Sequence, residues 1–300
     1  MSRGLDGGSN DTAVTVVGLG KMGAPIADRI AGAGFPLAVW NRTRARTDVY
    51  AERGATILEE PSEALAQADV CVTMLADDAV LSEVVLAENG VLAGARRGTT
   101  LIDMSTVSVA VSARVAGAAD RAGVEYLRAP VSGNPGVVAS GNLTIMVSGR
   151  QDVVDASRGL LEAIGPNVVY VGEGERARAA KLLLQILIGG TTELLAEAML
   201  FGESLGLERA RVLEVLNASV LGSRFIGYKG EALANDDYSA TFTTTMMIKD
   251  VDLVLDRAHE TGITLPFTEE LRTLLAETSA AGYADADFGA LQERLRAEVT

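Results

Sequence analysis

The chain has 300 residues, with 26 Lys plus Arg against 40 Asp plus Glu and a formal net charge of −14. An acid excess of this size argues against a nucleic-acid binder, because phosphate contacts need a concentrated basic surface. Apolar residues at 48% and charged residues at 22% exclude a disordered chain, and the length favours two domains over one.

The chain has a single cysteine, Cys71, and a single histidine, His259. A Cys/His zinc site therefore cannot be assembled, an intrachain disulfide is impossible, and no metal is expected. The opening stretch MSRGLDGGSN lacks the apolar core of a signal peptide, so residues 1–12 are expected to be a flexible tail and the cytoplasm is the expected location. The apolar run from Leu182 to Gly202 is long enough to raise the question of a membrane. Glu193 and Glu197 lie inside it, so it reads as a buried helix and no membrane partner is expected.

From Thr12 onward, short β-branched runs alternate with helical patterns. TAVTVVG, FPLAVWN, ADVCVTML, TTLIDMS, VEYLRAPVSG, LTIMVSG and NVVYVG read as strands, with helices expected at 109–122 and about 153–164. This alternation predicts an α/β first domain over 13–174, a doubly wound parallel sheet. Beyond it, residues 175–300 read as all helix, opening with a segment over about 175–204 that would be about 45 Å long. That segment is expected to join the domains as a long interdomain helix. Gly189 and Gly190 in its middle imply a close backbone approach or a bend.

Gly18-Leu19-Gly20-Lys21-Met22-Gly23 follows the first strand directly and opens a helix. The first glycine permits the tight turn, the second lets backbone approach a pyrophosphate, and the third lets helix and strand pack. This marks a Rossmann-type dinucleotide site. Where an NAD-binding chain places a carboxylate on the ribose hydroxyls, this one has Asn41-Arg42-Thr43-Arg44, extended by Arg46. Hydrogen-bond donors and positive charge there favour NADP over NAD, the plain alternative being solvated arginines at a helix start.

The chain's four lysines are Lys21, Lys181, Lys229 and Lys249. Lys181 stands just before an apolar run, with Gln185 four residues on and so on the same helix face. Such a lysine can shuttle a proton, although one that merely snorkels at a core edge would look the same. The loop Ala129–Gly136, with Ser132, Gly133 and Asn134, can form a concavity for a carboxylate. Asp103-Met104-Ser105-Thr106 closes a strand at the sheet edge where doubly wound folds bind ligands. His259, without a nearby partner in sequence, reads as a surface or helix-end residue.

With GLGKMG at 18–23, DMST at 103–106, APVSG at 129–133, GNLTIMVSG at 141–149, Lys181, and IKDVDLVLDRA at 248–258, the chain resembles the β-hydroxyacid dehydrogenases. That family includes 3-hydroxyisobutyrate dehydrogenase and tartronate semialdehyde reductase. The resemblance runs from Val14 to about Leu291 and implies a first domain of the 6-phosphogluconate dehydrogenase NAD-binding type. It implies hydride transfer at a β-hydroxyl of a small carboxylate, with Lys181 as general acid and base. Ser132 and Gly133 fall on the loop for the substrate carboxylate. Thr106 and Lys249 fall on cofactor contacts, and Leu75 is placed with them. Asn134 and Gln185 are further substrate candidates, although the family has Gly and Asn there, and Arg128 replaces its Asp. Imine reductases share the fold and the VWNRT segment but usually carry Asp or Tyr in place of Lys181. The remaining alternatives are such an imine reductase and a non-catalytic dinucleotide-binding scaffold. Arg224, Phe225 and Tyr228 are candidates for pocket residues, and a homodimer or larger assembly is expected from the long apolar helix.

Overall fold

In the computed structural model, residues 11–299 are described, and they divide after Lys181 into two compact units, the second beginning at Leu182. The tail expected over residues 1–12 lies outside the described residues except for Asp11 and Thr12, and Thr12 is buried.

The first unit is built on β1 (Val14–Val17), β2 (Leu37–Trp40), β3 (Thr56–Ile57), β4 (Val70–Thr73), β5 (Thr100–Asp103) and β6 (Glu125–Arg128). They form one six-stranded parallel sheet in the order β3-β2-β1-β4-β5-β6. Strands β1 and β4 are buried along their whole length, as continuous Val-rich runs covered on both faces should be. The intervening helices are α1 (Gly23–Gly32), α2 (Asp48–Ala51), α3 (Ala64–Gln67), α4 (Asp78–Leu86) and α5 (Val109–Ala122). The bounds of α5 follow from its ends: the Ser108 hydroxyl accepts from Val111 N, and Gly123 stops the helix at φ 72°.

The strand read through VEYLRAPVSG is in fact two. It breaks at Ala129-Pro130, because proline has no N–H to give a ladder. After the break, β7 (Val131–Ser132) pairs antiparallel with β8 (Thr144–Val147), which pairs parallel with β9 (Asn167–Tyr170) in a separate three-stranded sheet. The expected single helix near 153–164 is likewise split into α7 (Gln151–Ala156) and α8 (Arg158–Ile164), with α6 (Pro135–Ala139) ahead of β8.

Helix α9 (Arg176–Ser204) is continuous over 29 residues and carries the chain from the first unit into the second. The second unit continues with α10 (Arg209–Ala218), α11 (Arg224–Ala234), α12 (Thr244–Thr261), α13 (Pro266–Thr278) and α14 (Leu291–Val299). Gly189 and Gly190 do not mark a backbone approach. A Cβ on Gly189 would stand 2.7 Å from Leu271 Cδ2, and one on Gly190 2.9 Å from Phe267 Cε1. It is side chains of α13 that need the space. By length and composition α9 could cross a membrane, but half of its most apolar stretch is buried within the protein. Glu193 inside it is buried and faces Arg294 of α14 at 3.4 Å.

Candidate functional site

The turn from β1 into α1 shows what each glycine of GLGKMG is for. Gly18 has φ 97°, and a Cβ there would lie 2.4 Å from Met74 O, while a Cβ on Gly23 would lie 1.9 Å from Gly18 O. Both positions exclude any larger residue. Gly20 differs, since a Cβ there meets no protein atom within 4 Å, so the space above it is open at the start of a helix. An open glycine at a helix N-terminus fits a dinucleotide diphosphate, which backbone N–H groups and the helix dipole attract.

Beside this turn, Asn41 at the end of β2 accepts from Leu19 N at 2.9 Å and donates to Thr43 O at 2.9 Å, fixing the loop that follows. Arg44 is engaged with Leu58 O at 3.3 Å and with Glu59 at 2.9 Å, and Arg46 donates to Leu19 O at 3.3 Å. Arg42 and Thr43 are exposed. Lys21 is exposed and Met22 half-buried at the start of α1. Across the sheet edge, Leu75 N donates to Ser105 Oγ at 2.9 Å, which ties the loop after β4 to the loop after β5 and its neighbour Thr106.

That second loop is held by a buried network. Asp103 accepts from Thr73 Oγ1 at 2.7 Å, Ser105 Oγ at 2.6 Å and Ser105 N at 3.1 Å, while its other oxygen pairs with Arg178 at 2.5 Å. Arg178 also donates to Ser105 O at 2.6 Å, Tyr126 OH at 3.0 Å and Ser112 Oγ at 3.2 Å. Burial alone would lower the guanidinium's pKa, but Tyr126 and Asp103 outweigh that and raise it. Burial pushes the Tyr126 hydroxyl up to about 12 despite the opposing pull of Arg178. Sequence reasoning did not single out Arg178; its signal was a charge at the mouth of an apolar helix, three residues before Lys181.

Lys181 is half-buried in the second turn of α9. The loop that carries Ser132, Gly133 and Asn134 lies on the three-stranded sheet. There Gly133 is required by packing, with φ 143° and a Cβ that would stand 2.8 Å from Val137. Asn134 spends its side-chain oxygen on Val137 N at 3.0 Å, capping α6. Ser132 ends β7, half-buried, opposite Thr144. Arg128 is the partner of Glu175 at 2.5 Å, both largely buried.

The second unit brings Gln185 and Lys249 together through Asp250. Gln185 Nε2 donates to Asp250 Oδ2 at 2.5 Å, and Lys249 Nζ stands 2.8 Å from Asp250 Oδ1. The Gln185 carbonyl oxygen is buried and has no hydrogen-bond partner among the described residues. On α11, Phe225 and the exposed Tyr228 stack edge to face at 5.3 Å. Lys229 is buried against Asp287 at 2.6 Å and over the Phe288 ring at 4.1 Å. His259 is exposed in the last turn of α12. Among the described residues, no group of three or more His, Cys, Asp or Glu could hold a metal ion.

Residues 13–172 match the family model described as the NAD binding domain of 6-phosphogluconate dehydrogenase. Residues 175–295 match the one described as NAD-binding of NADP-dependent 3-hydroxyisobutyrate dehydrogenase. The chain is 31% identical over 299 residues to the mitochondrial 3-hydroxyisobutyrate dehydrogenase of Homo sapiens, covering 97% of this chain and 89% of that one. It is 31% identical over 291 residues to an NAD-dependent L-serine dehydrogenase of Pseudomonas aeruginosa, covering 93% and 96%. A solved structure of Mycobacterium tuberculosis 3-hydroxyisobutyrate dehydrogenase with L-serine superposes with a TM-score of 0.86 at 30% identity, covering 95% and 99%.

Proposed function

Because the chain belongs to the β-hydroxyacid dehydrogenase family and is an NAD(P)-dependent hydroxyacid dehydrogenase of the 3-hydroxyisobutyrate dehydrogenase type, we propose that it uses NADP, takes a small 3-hydroxyacid or its semialdehyde, and relies on Lys181 for proton transfer. The observation that carries the role of Lys181 is its position three residues beyond Arg178, which is fastened to the loop at the carboxyl end of β5. That edge of a doubly wound sheet is where a dinucleotide's reactive end lies.

When bound, the nicotinamide accepts or supplies the hydride. The Gly18–Gly23 turn would hold the diphosphate, Asn41, Arg42 and Thr43 the adenosine side, and Leu75, Thr106 and Lys249 the remainder. In reduction the Lys181 ammonium gives its proton to the carbonyl oxygen as the carbon receives hydride. In oxidation the neutral amine takes the hydroxyl proton as the carbon loses hydride, so the oxidation rate should climb toward alkaline pH. Ser132 and the Gly133 backbone would receive the substrate carboxylate, and Asn134 and Gln185 are the further candidates for substrate contacts.

The test follows reduced-cofactor absorbance with NADP⁺ or NAD⁺ and 3-hydroxyisobutyrate, glycerate, 3-hydroxypropionate and serine, beside Lys181→Ala. Turnover that Lys181→Ala abolishes while NADPH affinity is kept supports the reading. Near-parental activity in that variant overturns it. The same reading includes a homodimer or larger assembly, supported by Leu183, Leu187, Leu194 and Phe201, which recur along α9 and are each more than half exposed. A monomer of 31.2 kDa in sedimentation would refute that part.

A further inference from the structure

We propose that Arg178 is a positioning residue that sets Lys181 against the Ser105–Thr106 loop, an inference that rests on the proton-transfer reading of Lys181. Arg178 is 1% exposed and Asp103 0%, so this is a fully desolvated pair. Such pairs contribute little net stability compared with well-packed apolar residues, and their best-attested use is to enforce a single arrangement. The arrangement enforced here is specific. One planar guanidinium holds the Asp103 carboxylate at the end of β5, the Ser105 carbonyl two residues on, the Tyr126 hydroxyl of β6 and the Ser112 hydroxyl of α5.

Ser105 in turn accepts from Leu75 N, so the loops after β4 and β5 are fastened to the same point. Arg178 itself lies on the first turn of α9, and a helix advances about 4.5 Å over the three residues from there to Lys181. The helix is rigid over that distance, so whatever fixes Arg178 fixes the height and rotation of Lys181 relative to Thr106 and Leu75. Lysine could keep the charge opposite Asp103, but its single ammonium cannot span the other three acceptors as a planar fork does. If the role were only to neutralise Asp103, lysine would suffice.

The experiment compares Arg178→Lys with the parent enzyme, the sites of each counted by NADPH fluorescence titration and turnover then measured with NADP⁺ as the hydride acceptor. Turnover uses the four acids of the panel above. The expected result is a kcat at least 20-fold lower for Arg178→Lys, with KM and NADPH affinity within threefold. A kcat within twofold of the parent overturns the proposal while leaving the role of Lys181 intact. A second measurement does not depend on turnover: amide hydrogen exchange of the NADPH complex. In Arg178→Lys, exchange should rise together in 103–106 and 176–184, whereas Lys181→Ala should leave both protected. Parental protection in both segments of Arg178→Lys, or a rise in only one, overturns the link. If the parent turns over none of the acids, the substrate reading fails and the exchange result alone decides for or against Arg178.

Discussion

Gln185 donates its amide nitrogen to Asp250 Oδ2 at 2.5 Å, which fixes the orientation of the amide because a carboxylate offers only acceptors. A residue expected to help bind substrate has therefore given one of its two amide hydrogens to the protein, and its buried carbonyl oxygen has no partner among the described residues. Replacing it with leucine leaves the buried Asp250 short of one hydrogen bond. Urea unfolding of Gln185→Leu should show a loss of about 1–3 kcal/mol. In a double-mutant cycle with Asp250→Asn the coupling should exceed about 0.5 kcal/mol. Strict additivity would mean that the contact carries no energy.

Acid should act on the helical unit through Asp236. Burial works to raise its pKa, but Arg209 at 2.7 Å and Arg296 at 2.8 Å outweigh burial and hold it below the usual carboxylate value. A pKa lower in the folded state than in the unfolded one means stability that is present above the unfolded value, about 3.9, and is lost as pH falls through the folded value. The gap in urea midpoint between the parent and Asp236→Asn should therefore be widest above about pH 5 and shrink toward about pH 2. Asparagine tolerates the left-handed backbone at this position, φ 53°, so the comparison isolates the charge. A gap that does not change with pH would remove Asp236 from the acid response.

The parallel sheet was legible because β1, β4 and β5 are short, largely buried runs bounded by helical patterns, and α5 because Ser108 and Gly123 mark both its ends. Strand β3 was not, since Thr56–Ile57 is two residues long, with Thr56 exposed and Ile57 half-buried, too short to show a period. Of the candidate site, the glycine turn could be read because Gly18 and Gly23 answer local steric demands of the fold while Gly20 keeps the approach to the helix start open. The Arg178–Asp103 pair could not be read, because its members are 75 residues apart and nothing periodic connects them. The glycine pair of α9 misled for a related reason: its neighbours, Leu271 and Phe267, come from a helix far along the chain.

The proposed preference for NADP puts the weight on Arg42. Arg44 is occupied by Leu58 O and Glu59, and Arg46 reaches back to Leu19 O, which leaves Arg42 and Thr43 beside the fixed Asn41. A charged hydrogen bond to a 2′-phosphate is worth about 1.5–3 kcal/mol, about tenfold or more in affinity. Arg42→Ala should raise the Kd for NADPH by at least that factor in fluorescence titration, flatten its salt dependence, and leave the Kd for NADH nearly unchanged. Equal weakening of both cofactors would show that Arg42 does not read the phosphate.

Gly20 and Gly23 separate the demands of the cofactor from those of the fold. At Gly23 an added methyl collides with Gly18 O at 1.9 Å, so the β1–α1 turn itself must open and the melting temperature should fall with any loss of binding. At Gly20 the same methyl meets no protein atom within 4 Å, so Gly20→Ala should melt like the parent. A Cβ in that space nevertheless stands where the diphosphate must approach the helix N-terminus, and NADPH affinity should drop by about tenfold or more. Thermal melts run with and without NADPH read both effects at once. Parental melting without cofactor and little upward shift when it is added is the expected pattern. A full NADPH-induced shift in Gly20→Ala would place the diphosphate elsewhere on the sheet edge.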